Sequence, residues 1–205
     1  NPTDEPPRLT VPGLEEATAG EVVAILAPRL ASLLDLHLTL KHIHWNVVGV
    51  NFISVHEFLD PQVDSVRRMS DATAERIATL GGEPKGTPGA IVAVRTWDDY
   101  PLGREPTVRH LAELDRVYGG VIVDHRDAAA QLGDLDPVSE DLLIGHLHDL
   151  EQYQWFVRAH LQNAEGEVVF REGERAAAAS TAASPTASTR GADSVAGEAG
   201  ARGDG

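Results

Sequence analysis

The chain has 205 residues, with 17 Lys and Arg against 32 Asp and Glu, a formal net charge of −15, 42% hydrophobic residues and no cysteine. Without thiols there are no disulfides, iron–sulfur clusters, cysteine-ligated zinc or thiol nucleophiles, so any metal chemistry has to come from imidazoles and carboxylates. The acidity speaks against sequence-independent binding to a phosphate backbone, and short apolar runs with no basic segment ahead of them predict neither a membrane span nor a signal peptide; a cytoplasmic protein is expected.

Residues 1–14 read as a tail, with prolines at positions 2, 6, 7 and 12 and little periodicity. Residues 166–205 read as a second tail, rich in Ala, Gly, Ser and Thr. That tail holds four arginines against six acids, so −13 of the net −15 belongs to residues 1–165. Residues 15–165 suit a single domain.

Within that domain, four long stretches place apolar residues at three- and four-residue spacing, the pattern of amphipathic helices. The first is expected from about Glu21 to Asn46, with Val22, Leu26, Leu30, Leu33, Leu34 and Leu38 inward and Pro28 kinking or restarting it. The second is expected after Asn51, a good N-cap, with Phe52, Val55, Leu59, Val66, Met69, Ile77 and Leu80 inward, a kink at Pro61 and a stop at Gly81-Gly82. A Gly- and Pro-rich connection follows, with a small crossing helix over Ala90 to Val94. Pro106 opens helix three at a first-turn position, and it runs to about Leu132. Asp136-Pro137 opens helix four, which ends near Asn163. No segment has strand period. The expectation is all-α: a four-helix bundle with a short helix in the long crossover between helices two and three, the ferritin-like arrangement among others.

Five possible metal ligands fall between positions 44 and 75: His44, His56, Asp60, Asp71 and Glu75. On a helix, His56 and Asp60 are one turn apart, Asp71 and Glu75 are one turn apart, and all four share one broad face. A solvated stripe is the ordinary explanation of such a face. The two pairs are separated by about 22 Å along the helix axis at about 1.5 Å per residue, so one chain does not close them on one ion. An antiparallel copy related by a two-fold axis brings His56 and Asp60 of one subunit beside Asp71 and Glu75 of the other. The alternative within one bundle needs Glu-x-x-His pairs, and the sequence contains none. Two imidazoles and three carboxylates suit Fe(II), Mn(II) or Zn(II).

The run Lys41-His42-Ile43-His44-Trp45-Asn46-Val47, then Gly49, Asn51-Phe52, His56-Glu57, Asp60, Asp71, Ala74-Glu75-Arg76 and Leu80-Gly81-Gly82, resembles the signature of the Dps family. The resemblance implies ferritin-like subunits assembled from two-fold dimers into a hollow homo-dodecamer. Such shells take Fe(II) and hydrogen peroxide as substrates, oxidise the iron at sites on the subunit two-fold and store ferric mineral inside. It implies His44, His56 and Asp60 from one subunit and Asp71 and Glu75 from its partner as iron ligands and ferroxidase residues. Trp45 then lies just outside the ligands, where the indole N–H reaches a ligand, water or peroxide, and Lys41 pairs with a nearby carboxylate. Trp45 as an ordinary core residue is the plainer alternative. The resemblance also implies acidic three-fold pores, for which Asp134, Asp136 and Asp141 are the candidates; for Asp136 an N-cap is the ordinary role.

Two other readings accompany this one. A nucleoid-associated DNA-binding protein is the activity for which the family was named, but members that condense DNA carry Lys-rich tails, and these tails are net acidic with only Lys41 and Lys85 in the whole chain. A structural or adhesion role leaves the five ligands vestigial or filled by Zn(II). The pairs His42/His44 and His146/His148 point their rings to nearly opposite sides of a helix and are not chelates. The isolated His37, His110, His125 and His160 are expected at the surface or as satisfied polar groups.

Overall fold

The computed structural model describes residues 10–162. They form α1 (Glu16–Asn46), β1 (Val47–Val48), α2 (Phe52–Thr79), α3 (Pro88–Val94), β2 (Glu105–Pro106), α4 (Thr107–Leu132) and α5 (Pro137–Leu161). Short elbows join α1 to α2 and α4 to α5, and each of these pairs packs along its length; α1 also packs on α4 and α2 on α5. The result is a ferritin-like four-helix bundle with the short α3 in the crossover. Both tails expected from the sequence lie largely outside the described residues.

The core is a stack of aliphatic layers: Leu26, Leu33, Leu36, Leu40 and Ile43 of α1 meet Leu59 and Ile77 of α2, Leu114 and Leu132 of α4, and Leu143 and Leu150 of α5. On α1 the buried stripe steps by three or four residues through Leu26, Leu30, Leu33, Leu36, Leu40 and Ile43. Leu38 lies off that stripe and is 56% exposed, which corrects its expected inward place. Among the described residues α1 is also the helix long and apolar enough to cross a membrane by length and composition, contrary to the expectation of no such segment. Its apolar stripe is covered here by the other bundle helices.

Neither proline restarts its helix: Pro28 and Pro61 both sit inside continuous helices, which corrects the expected break at Pro28. A proline deprives the carbonyl four residues back of its donor. Those carbonyls belong to Ala24 and Glu57, both exposed residues whose backbone solvent can satisfy. The start of α1 lies five residues earlier than expected.

The end of α2 follows the expected glycine stop. Gly81 has φ +84°, its N–H donates to the Ala78 carbonyl at 3.0 Å, and the Gly82 N–H donates to the Ile77 carbonyl at 2.9 Å. This is a Schellman closure, and the left-handed residue it needs is the reason for a glycine at 81. Gly82 serves a different end: a Cβ there would sit 2.8 and 2.9 Å from the two Val23 methyls and 3.0 Å from Ile77 Cγ2. α1 thus approaches the turn too closely for any side chain.

The crossover is tied down at several points. Trp97 Nε1 donates to Asp35 Oδ2 at 2.7 Å, and Arg95 pairs with Asp35 and Asp99. His42 Nε2 donates to the Leu102 carbonyl at 2.7 Å, and the Tyr100 hydroxyl lies 3.0 Å from His110 Nδ1. β1 and β2 then pair in parallel, Val47 with Glu105 and Val48 with Pro106. A two-residue ladder has no period to read, so no pattern in the residues announces it. Pro106 is consequently the N-cap of α4 and not a first-turn residue.

Candidate metal centre

The α1–α2 elbow brings His44 and His56 together. His44 is buried in the last turn of α1, and His56 is half-buried in the second turn of α2. Their rings stack with centroids 3.6 Å apart and planes 26° from parallel. His44 Nδ1 lies 3.0 Å from the His56 carbonyl, and His56 Nδ1 lies 2.9 Å from the His44 carbonyl. A carbonyl only accepts, so in each contact the ring donates from Nδ1 and Nε2 keeps its lone pair. The His44 carbonyl is among those that a helix C-terminus leaves without an intrahelical donor, and His56 supplies one.

Asp60, one turn beyond His56, places Oδ1 3.3 Å from His44 Nδ1 and 3.4 Å from Lys41 Nζ. Lys41 also stands 5.7 Å above the Trp45 ring. Trp45 is 71% exposed, so the core alternative does not describe it within one subunit. Phe52, expected inward, is 39% exposed and lies against His56 with centroids 5.0 Å apart. Burial pulls the His44 imidazole below its ordinary value, and Lys41 and His56 add to this; the His56 carbonyl and Asp60 oppose it without reversing it. The ring is therefore neutral at pH 7, the state in which imidazole binds a metal.

Asp71 and Glu75 are exposed further along α2, and neither carboxylate has a hydrogen-bond or ion-pair partner among the described residues. Among these residues no group of three or more His, Asp or Glu in one subunit comes together to hold a metal. Within one subunit the elbow brings two imidazoles and the Asp60 carboxylate together, and Asp71 and Glu75 stand apart from them further along α2.

The pore candidates divide. Asp134 and Asp141 are exposed, whereas Asp136 is 5% exposed and accepts from the Arg76 guanidinium and the Ser139 hydroxyl. Burial alone raises the Asp136 carboxyl, but Ser139 and Arg76 outweigh it and hold the group below the ordinary carboxylate value. Its carboxylate is committed to tying the end of α2 to the start of α5. Position 136 is the N-cap of α5, but its side chain makes no capping hydrogen bond.

Comparison with known proteins bears on this arrangement. The ferritin-like domain family matches residues 23–166. The DNA protection during starvation protein of Mycolicibacterium smegmatis is 58% identical over 165 residues, covering 80% of this chain and 90% of that one. The chain belongs to the Dps family of ferritin-like proteins. Another Dps structure, DpsA14 from Streptomyces coelicolor, matches with a TM-score of 0.77 at 59% identity, covering 78% of this chain and 96% of that one. The fine tangled pili major subunit of Haemophilus ducreyi is also similar, 50% identical over 159 residues, covering 78% of this chain and 84% of that one. Placed in the Dps family, the His44–His56 elbow falls within the matched span, as do Asp60, Asp71 and Glu75.

Proposed function

We propose that this protein is an iron-oxidising store: it binds Fe(II) at sites shared across a subunit two-fold, oxidises it with hydrogen peroxide and holds the ferric product inside a homo-dodecamer, which shields DNA from oxidative damage. The observation that carries the reading is the crossed pair of imidazole–carbonyl hydrogen bonds, which leaves the Nε2 lone pairs of His44 and His56 available on one elbow. His44, His56 and Asp60 of one subunit, with Asp71 and Glu75 of the partner subunit, make a mixed nitrogen and oxygen set suited to the substrate iron. The imidazoles hold the entering ferrous ion, and the carboxylates favour the ferric product. Two ferrous ions each give one electron to one peroxide, which takes up two protons and leaves as two waters, so no hydroxyl radical is released.

Asp134 and Asp141 are the residues proposed to line an entry pore, because Asp136 is occupied by Arg76. With −13 on residues 1–165 of each subunit, a closed shell concentrates cations at its openings. Direct condensation of DNA is the secondary reading, and the acidic balance makes it weak and salt-sensitive.

The test is anaerobic titration of the metal-free oligomer with Fe(II), followed by stoichiometric peroxide, with ferric absorbance and particle mass read together. Fast oxidation in a particle of about twelve subunits, lost in Glu75→Ala while assembly persists, supports the reading. Oxidation no faster than buffer, or full activity in Glu75→Ala, refutes the shared site. Intact assembly with no oxidation at all would favour a structural role.

A further inference from the structure

The interior of the bundle holds a second pair of imidazoles with no part in the elbow. His125 of α4 is 0% exposed, His146 of α5 is 6% exposed, and their ring centroids are 6.2 Å apart. His125 Nδ1 donates to the Val121 carbonyl at 2.9 Å, so its Nε2 carries a lone pair. His125 Nε2 and His146 Nδ1 are both buried, and neither has a hydrogen-bond partner among the described residues. His125 therefore departs from the satisfied or surface histidine expected from the sequence, and His146, read there only as no chelate with His148, is buried beside it. A buried polar atom without a partner is uncommon and calls for an occupant.

The spacing restricts what fits. Two imidazoles hydrogen-bonded to each other directly have centroids no more than about 5.5 Å apart, so the 6.2 Å separation leaves a gap. With metal–nitrogen bonds of about 2.0 Å, a tetrahedral angle puts the centroids about 5.1 Å apart and a linear bridge about 6.3 Å. With the two free nitrogens facing each other, the 6.2 Å separation is that of the linear case. Linear two-nitrogen coordination belongs to monovalent d10 ions, and copper is the metal among these for which imidazole is an ordinary ligand.

Two charged groups lie close enough to act on the pair. Arg29 of α1, which acts on His125, is ion-paired to Asp124 at 3.1 Å. Asp149 acts on His146 and accepts from the Ser65 hydroxyl of α2 at 3.2 Å. The charged groups that act on the two rings, Arg29 on His125 and Asp149 on His146, are of opposite sign. Burial depresses both imidazoles, His125 to about 3 and His146 to about 4, so both are unprotonated at neutral pH.

We propose that His125 and His146 form a two-coordinate Cu(I) site in the bundle interior, separate from the iron-binding elbow. The two sites are distinguishable by geometry: the His44 and His56 rings are stacked 3.6 Å apart and do not form a linear bridge with each other. The chain has no cysteine and one methionine, so the competing donors for Cu(I) are its other seven histidines.

The assembled full-length protein is titrated anaerobically with Cu(I) against the chelator bathocuproine disulfonate, and the loaded wild type is measured by X-ray absorption. The expected result is about one Cu(I) retained per chain, with two nitrogen neighbours at about 2 Å. Retention falls at least tenfold in His125→Gln and in His146→Gln and is unchanged in His160→Gln, whose side chain is exposed. Complete removal by the chelator, retention unchanged in both interior variants, or three or more neighbours in the absorption spectrum overturns the proposal and leaves the gap to a water molecule. If an interior variant fails to assemble, the wild-type coordination number decides alone. Iron oxidation in Glu75→Ala does not enter this test.

Discussion

Replacing Gly82 by Ala puts a methyl carbon 2.8 and 2.9 Å from the Val23 methyls and 3.0 Å from Ile77 Cγ2. All three contacts are about 1 Å inside ordinary carbon–carbon separation. Val23 and Ile77 are β-branched and stiff at χ1, so relief has to come from movement of α1 against the end of α2. Overpacking of this kind costs roughly 1–3 kcal/mol. A loss of about 2 kcal/mol lowers the melting temperature of a domain this size by roughly 4–8 °C. Val23→Ala removes the two clashing methyls at a cost of its own of about 1 kcal/mol, since the side chain is half-buried. In the double variant the clash with Val23 is gone, so the double-mutant cycle gives a favourable coupling of about 1 kcal/mol or more. The assay is thermal unfolding of all four proteins at one protein concentration, with particle mass checked, because assembly shifts apparent stability. Strict additivity, or a Gly82→Ala protein as stable as wild type, would refute the close approach of α1 to this turn.

Three further outcomes follow from contacts already described. Asp136 has a depressed folded value, so its pair with Arg76 stabilises fully above the unfolded carboxylate value and that contribution fades as pH falls through the folded one. Asp136→Asn therefore lowers the melting temperature near neutral pH and flattens its decline below about pH 4; an equally steep acid limb would contradict this. Tyr118→Phe removes the hydroxyl that donates to Gln62 Oε1 at 2.6 Å and strands a buried acceptor, which costs about 1–3 kcal/mol in urea unfolding; no change in the midpoint would show the bond to be dispensable. In a gel shift, any DNA binding is expected to vanish between about 50 and 100 mM salt, and retention above that range would restore the DNA-binding reading.

The helices were legible because each carries its own period and punctuation. Asn51 before α2, Gly81-Gly82 after it, and Asp136-Pro137 before α5 mark boundaries by residue type, although only the glycine stop closes with the local hydrogen bonds expected of it and Asp136 turns to Arg76 instead. What escaped depended on partners distant in sequence. Leu38 satisfies the same spacing rule as its neighbours, and only the positions of the other helices decide that it faces outward. The β1–β2 ladder joins residues 58 positions apart. Among the site residues, the spacing shows that the two ligand pairs of α2 are too distant for one chain, but not that His44 and His56 exchange hydrogen bonds with each other's backbone. His125 looked isolated and His146 was read only against His148, because nothing local marks two residues on different helices as neighbours.

The crossed hydrogen bonds at the elbow have a bearing on how mutants there behave. The same two rings that keep Nε2 free hold the chain reversal between α1 and α2 through Nδ1. An ion arriving at this elbow meets rotors that are already locked, so little side-chain freedom remains to be lost on binding. Conversely, removing either imidazole unfastens the corner as well as deleting a donor atom. Alanine at position 44 or 56 then perturbs assembly and coordination together, whereas alanine at Asp71 or Glu75, whose side chains have no such duty, reports on coordination alone.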